Sequence, residues 1–259
     1  MAEVLVTGAT GSLGSVLVPA LTGRGHTVRA MSRRPGEGRV VADLSTGEGL
    51  SEALAGVSVV VHAAKDLTNY RTGSSADADY LRPFLARAAE AGVEHFLYVS
   101  IVGVDRNPYP FYQVKLACER LIARSGLNYS VVRASQFPQL VLSTLQRGLR
   151  GPLCLVPLGF SAEPVAVEDV AVHIADRLEA GPSGAVTEFA GPERLTSSVV
   201  ARIWLEESGE RRIVVPVPVR GRVARAFRMQ SNIADARAPR GTRTWREYVQ
   251  DYVSQHAGK

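Results

Sequence analysis

Three glycines spaced three apart, Gly8, Gly11 and Gly14, follow the first apolar run of the chain, Val4-Leu5-Val6. Glycines in such a place serve three ends: one permits a sharp turn, one lets the backbone approach a pyrophosphate, and one lets a helix pack closely on a strand. The whole stretch is Gly8-Ala9-Thr10-Gly11-Ser12-Leu13-Gly14. The helix that it opens offers free N–H groups and a positive dipole end to phosphate. The spacing alone also suits an ordinary turn, and its place between a first strand and a first helix is what makes it a dinucleotide signal. The second apolar run ends in Met31-Ser32-Arg33-Arg34. An NAD site usually places an acid there for the ribose 2′-hydroxyl. Two arginines pair instead with a 2′-phosphate. The expected cofactor is therefore NADP(H), with NAD(H) as the alternative and a solvated basic turn as the bland reading. Asp43-Leu44 follow a third strand, where the carboxylate either caps the next turn or contacts adenine. Ala63-Ala64 end a fourth strand and are small enough for ribose and nicotinamide to lie against the backbone.

The elements that must hold these residues alternate. Strands are expected at Val4–Thr7, Thr27–Ser32, 39–42, 57–63, 95–100 and 129–133. Helices are expected at 12–22, 51–55, 79–91 and 111–125. Several strands, Val57-Ser58-Val59-Val60-Val61 most clearly, are continuous apolar runs, which suit parallel strands covered on both faces. The pattern implies an α/β fold, a Rossmann-type doubly wound parallel sheet. From about Gly151 prolines break the pattern, and a helix at 167–178, a strand near 188–190 and a helix at Ser197–Ser208 read as a small C-terminal substrate lobe. The expected organisation is one domain over 1–259, with the dinucleotide-binding core in 1–150 and the substrate side mainly in 151–259.

With 259 residues and 46% hydrophobic composition the chain buries a full core. Cys118 and Cys154 lack metal-ligand spacing, so neither a metal nor a disulfide framework is expected. No targeting segment and no apolar run long enough to span a membrane is seen, which reads as a cytoplasmic protein without a membrane partner. The net charge of +5 comes largely from arginines between Arg211 and Arg246. Nucleic acid is not expected there because no nucleic-acid module surrounds them. A solvated face, or a lining for an anionic ligand, is the expectation.

A longer pattern then appears. It runs Tyr98-Val99-Ser100-Ile101-Val102-Gly103-Val104-Asp105, Tyr112-Gln113-Val114-Lys115-Leu116-Ala117-Cys118-Glu119, and Val132-Arg133-Ala134-Ser135-Gln136-Phe137. Val165-Ala166-Val167-Glu168-Asp169-Val170-Ala171 and Ala190-Gly191-Pro192-Glu193 follow. With the glycine turn, this resembles the atypical short-chain dehydrogenase/reductases of the NmrA-like, NAD(P)-binding kind. The resemblance implies a parallel sheet with the cofactor across its carboxyl edge, and a monomer or homodimer acting on a small molecule. In active reductases of the wider superfamily a YxxxK pair does the chemistry: the lysine holds the nicotinamide ribose and lowers the tyrosine pKa, and the tyrosine exchanges the proton.

Here Lys115 stands at the lysine position, but the residue four before it is Phe111, which has no proton to give. Tyr112 is one step on, a turn of about 100°, and reaches the site only if the helix is rotated or starts irregularly; otherwise it packs. Ser100 lies near the superfamily's substrate-orienting serine, with a purely structural role equally open. Gln136 and Phe137 follow the sixth strand and suit a nicotinamide or substrate lining. His62 and Asp169 read as structural, the latter serving a helix dipole. The candidate catalytic set is thus Lys115, Tyr112 and Ser100, and Ser100 and Lys115 also belong to the cofactor set. The expected function is NADPH-dependent reduction of a small carbonyl, enone or quinone-like molecule. The alternatives are an NAD(P)-binding regulator without turnover, or a redox-neutral epimerase or dehydratase.

Overall fold

A computed structural model describes residues 1–65 and 76–256. In chain order its elements are β1 (Glu3–Thr7), α1 (Gly14–Gly23), β2 (Thr27–Ser32), β3 (Arg39–Val41), α2 (Leu50–Leu54), β4 (Val59–His62), α3 (Ala76–Glu90), β5 (His95–Ile101), α4 (Pro110–Ala123) and β6 (Tyr129–Ala134). They continue with α5 (Pro138–Gln146), β7 (Leu149–Arg150), β8 (Leu153–Pro157), β9 (Ser161–Ala162), α6 (Val167–Glu179), β10 (Val186–Phe189), β11 (Leu195–Thr196), α7 (Ser197–Ser208), β12 (Ile213–Val217), α8 (Arg222–Arg228) and α9 (Trp245–His256). The N-terminal elements match the sequence reading to within a few residues. The second half holds five elements of substance that were not expected: α5, β8, β12, α8 and α9.

The central sheet has seven strands in the order β10-β6-β5-β4-β1-β2-β3 and is a parallel, Rossmann-like sheet. The order reverses beside β1, whose parallel neighbours are β2 on one side and β4 on the other. In open α/β sheets this reversal opens the crevice where ligands bind, outside the carboxyl ends of the strands. The glycine turn leaves β1 at that point.

The chain groups into two compact units. The first comprises Met1–Ile101, Tyr109–Arg133 and Val170–Thr187; the second comprises Val102–Pro108, Ala134–Asp169 and Glu188–Lys259. The core of the first gathers Leu5, Val60, Phe84, Phe96, Tyr98 and Ile122. β1 and β4 are buried nearly throughout, which is why their sequences run apolar without alternation. The second unit has its own core, centred on Trp204 and Trp245 with Leu142, Val156 and Val249. The Trp245 indole donates to the Val200 carbonyl at 3.1 Å, so the ring is buried without an orphaned N–H. This unit also holds the sheet β12-β8-β7, in which β8 pairs parallel to β12 and antiparallel to β7.

Candidate functional site

The glycine turn has no space for side chains at two of its three glycines. Gly8 has φ +69°, and a Cβ there would lie 2.8 Å from the backbone of Ala63 and Ala64. The small pair at the end of β4 thus gives the turn its room. A Cβ on Gly14 would lie 2.2 Å from the Gly8 carbonyl oxygen, so the first residue of α1 packs directly on the turn. Gly11 closes the turn by donating its N–H to the Gly8 carbonyl at 2.9 Å. Leu13 caps α1 without a side-chain hydrogen bond, and no acid occupies the first turn of the helix. The helix N-terminus therefore keeps its positive end uncompensated by the chain, while Thr10, Gly11 and Ser12 are exposed. A dinucleotide pyrophosphate fits this arrangement.

Arg33 and Arg34 are exposed at the carboxyl end of β2, and neither is ion-paired among the described residues. The Arg34 N–H donates to the Ser32 hydroxyl at 3.1 Å, which shapes the turn after the strand. Asp43 serves the turn: its carboxylate accepts from the Ser45 N–H at 2.7 Å and the Ser45 hydroxyl at 2.6 Å. These bonds, with help from the Arg33 charge, hold its pKa below the usual carboxylate value. Leu44 packs, partly buried, against the core of the first unit.

The carboxyl ends of β1, β4 and β5 are in register, with Thr7 opposite His62 and His62 opposite Tyr98. A layer of buried polar groups lies there. The Thr7 hydroxyl and His62 Nδ1 are 2.8 Å apart, and the His62 ring stacks on Tyr98 with centroids 5.6 Å apart. Desolvation, reinforced by the Lys115 charge, drives the His62 pKa down to about 3, so the imidazole is neutral at ordinary pH.

Helix α4 begins regularly at Pro110, in the first-turn place that proline favours. The helix start is regular, so no irregularity there displaces Tyr112. Tyr112 nonetheless lies three residues before Lys115, a spacing that makes them helix-surface neighbours, and both side chains are buried. The Tyr112 ring meets Tyr109 edge-on with centroids 5.7 Å apart. Lys115 Nζ donates to the Val99 carbonyl at 3.4 Å and sits 4.8 Å above the Tyr98 ring centroid. Burial lowers its pKa, while the Asp77 carboxylate acts in the opposite direction. Cys118, one turn later, has its thiol pushed up to about 11 by desolvation and is chemically quiet.

Ser100 is committed elsewhere. Its hydroxyl donates to Glu119 Oε1 at 2.5 Å, and the same carboxylate accepts from Arg133 Nε at 2.9 Å and Nη2 at 2.7 Å. The three groups tie β5, α4 and β6 together inside the first unit. Sequence reasoning quoted Glu119 and Arg133 only within the family pattern and did not see this pairing, which no local spacing announces. Gln136 and Phe137 belong to the second unit. There the Gln136 amide donates to the Asn232 carbonyl and accepts from the Glu163 N–H, each at 3.0 Å, and Phe137 caps α5. The second unit also holds a pocket of about 330 Å³, lined by Glu163, Arg194, Ile233, Ala234 and Arg240 among others. Asp169 accepts from the Thr242 and Arg243 N–H groups at 2.8 and 3.1 Å, a structural clamp as well as a helix-start acid.

Among the described residues no group of three His, Cys, Asp or Glu is placed to hold a metal ion, and no helix is long and apolar enough to cross a membrane. Comparison with known proteins places this geometry in a family. The family described as NAD(P)H-binding matches residues 8–176. The chain is 30% identical over 225 residues to a chloroplastic divinyl chlorophyllide a 8-vinyl-reductase of Oryza sativa subsp. indica, covering 73% of this chain and 54% of that protein. It is 24% identical over 220 residues to quinone oxidoreductase 2 of Escherichia coli (strain K12), covering 80% of this chain and 75% of that protein. The chain spans about half the length of several curated relatives that it matches. Its fold is similar to a crystal structure of an NADPH-dependent quinone oxidoreductase from Escherichia coli complexed with NADPH, with a TM-score of 0.81 at 20% identity over 96% of this chain and 99% of the other. With the glycine turn, the reversal of strand order beside it and the buried Lys115 in place, the chain belongs to the NAD(P)H-binding family, among the atypical short-chain dehydrogenase/reductases of the NmrA-like kind.

Proposed function

We propose that this protein is an NADPH-dependent reductase of a small carbonyl, enone or quinone-like molecule, with conjugated acceptors of the quinone type first. The observation that carries this reading is the pairing of an intact cofactor half with an altered proton-transfer half. The glycine turn and the free arginines after β2 suit a dinucleotide with a 2′-phosphate. Phe111 stands where the superfamily's acid belongs, and the Ser100 proton is engaged by Glu119.

The nicotinamide, when bound, supplies a hydride. The chain's own residues supply position. The α1 N-terminus and the turn amides receive the pyrophosphate, Arg33 and Arg34 receive the 2′-phosphate, and Ala63-Ala64 leave the backbone open beside the ribose. Lys115 holds the ribose hydroxyls from α4. Tyr112, on the same helix face, is the nearest phenol to Lys115 in sequence and is the candidate source of a proton. A quinone needs less of an enzyme acid than an isolated ketone, because its reduced oxygen is stabilised by conjugation and takes its proton from solvent. Names of the similar proteins support this choice, since one is a quinone oxidoreductase and another a vinyl reductase.

The test is direct. NADPH and NADH are titrated separately by nicotinamide fluorescence, then NADPH oxidation is followed with a panel of quinones, enones and ketones. Preference for NADPH with turnover on quinones, and strong loss of turnover in Lys115→Ala, is the expected result. NADPH binding with no turnover on any acceptor would favour the second reading, a cofactor-binding regulator, which the occupied Ser100 and the absent tyrosine at position 111 also support.

A further inference from the structure

The arginines between Arg211 and Arg246, which read from the sequence as a solvated face or a lining for an anionic ligand, fall into separate groups in the structure. From Arg211 to Ala234 the chain carries six arginines and no Asp or Glu. The structure separates them. Arg212 pairs with Glu210 at 2.6 Å. Arg220, Arg222, Arg225 and Arg228 are exposed and make no ion pair among the described residues. Three of them fall on α8 at a spacing of three, which keeps them on neighbouring positions of one helix surface.

Apolar side chains stand beside them in the open. Leu158 is 51% exposed, Val219 39% and Met229 75%. These residues form one patch of the second unit. The Leu158 N–H donates to the Val217 carbonyl at 2.9 Å, so the two segments run side by side. Arg228 Nη1 donates to the Val219 carbonyl at 2.5 Å, and the Arg228 stem lies over Gly159, within 3.5 Å of where a Cβ would stand. Met229 follows Arg228 directly. The aromatic rings of this region are not part of the open face in the same way: Phe160 and Phe227 stack on each other with centroids 5.3 Å apart.

We propose that this face docks on an anionic lipid bilayer. Single exposed aliphatic side chains need no explanation, but three of them set among four uncompensated arginines form the mixed surface that an interface favours: aliphatic groups enter the acyl boundary while guanidiniums meet the headgroups. The stems of the arginines add apolar area. A nucleic-acid surface fits less well, because phosphate contacts make no use of Leu158, Val219 and Met229, and single strands call for open aromatic platforms. The sequence reading expected no membrane partner because it looked for a spanning segment; a peripheral face needs none. The inference stands on the second unit alone and does not depend on the redox reading. A lipid-soluble acceptor would gain from it, since the enzyme would meet its substrate where that substrate dissolves.

The experiment is sedimentation of the full chain with vesicles of phosphatidylcholine, with and without phosphatidylserine, at low and high salt. Binding to the anionic vesicles only, weakened by salt, is expected. Each arginine lost near the surface lowers the partition coefficient about fivefold, so the double variant Arg222→Ala with Arg225→Ala loses roughly twenty-five-fold. Met229→Gln weakens binding with the arginines intact. Circular dichroism and NADPH titration serve as controls, since none of these residues belongs to the cofactor site. No sedimentation with anionic vesicles overturns the proposal. So does binding that the double variant leaves unchanged, or retention of a single-stranded oligonucleotide without vesicle binding.

Discussion

Replacing Glu119 by Gln tests how the candidate site is held. The Glu119 carboxylate is buried and accepts three hydrogen bonds, two from Arg133 and one from Ser100. Glutamine keeps the shape but removes the charge and turns one acceptor into a donor. Arg133, about 10% exposed in its side chain, then loses the Glu119 carboxylate that faces its guanidinium. Breaking a buried pair in this way costs about 3–5 kcal/mol, far more than the net worth of the pair. At about 2–4 °C per kcal/mol for a chain of this size, the melting temperature falls by roughly 6–20 °C. Thermal and urea unfolding of wild type and Glu119→Gln read the effect. The companion variant Glu119→Leu with Arg133→Met removes both charges and recovers most of the stability, because desolvation and attraction are lost together. A single variant within about 1 kcal/mol of wild type would refute the reasoning. So would a double variant no more stable than the single, since the loss would then not come from breaking the Glu119–Arg133 pair. Ser100→Ala, which removes one hydrogen bond to a charged group, costs less, about 1.5–3 kcal/mol.

Other outcomes follow from the same geometry. Arg33→Ala with Arg34→Ala weakens NADPH binding by roughly ten- to a hundredfold, the worth of a charged hydrogen bond, and leaves NADH binding unchanged; equal loss for both cofactors contradicts the 2′-phosphate role. Gly14→Ala forces a Cβ to 2.2 Å from the Gly8 carbonyl, so the turn shifts and both stability, by about 1–3 kcal/mol, and cofactor affinity fall together; a fluorescence titration showing normal NADPH affinity would remove the turn from the site. The pH dependence of stability carries the sign of His62. The unfolded chain binds a proton near pH 6.5 that the folded chain refuses until about pH 3, so stability is full above pH 6.5 and falls as pH is lowered below it. At about 1.36 kcal/mol per unit, the loss at pH 5 is about 2 kcal/mol from this residue. His95, also pushed down by burial, to about 4, adds in the same direction. Urea unfolding across this range should show a shallower slope in His62→Asn than in wild type.

The first half of the fold was legible because its signals are local. Continuous valine runs mark buried parallel strands, and glycines at 23, 25, 92 and 126 punctuate helix ends. The second half hid its elements for different reasons. Strand β12 carries Pro216, a residue that argues against a strand, yet it pairs with β8 along its full length. Helix α9 did carry a readable signal, since Trp245, Tyr248, Val249, Tyr252 and Val253 repeat at helical spacing. Within the site, the glycine turn and Lys115 were visible as types at a spacing. The Glu119–Arg133–Ser100 group was not, because its members meet only once β5, α4 and β6 are assembled. Asp43 reads equally as a turn cap or an adenine contact, and its bonds to Ser45 show it capping the turn.

The strand order bears on how this protein is made and dissected. β10 lies at the edge of the central sheet, beside β6, although more than fifty residues separate them in the chain. Val131 donates to the Ala185 carbonyl at 3.0 Å across that boundary. During synthesis the ribosome must therefore release the chain past Phe189 before β6 gains its outer neighbour. A fragment ending near residue 150 would carry the whole glycine turn and Lys115, yet would leave β6 as a bare edge of unpaired N–H and carbonyl groups, a template for other chains. Such a fragment is expected to aggregate on expression. Cutting after residue 189 would keep β6 paired with β10.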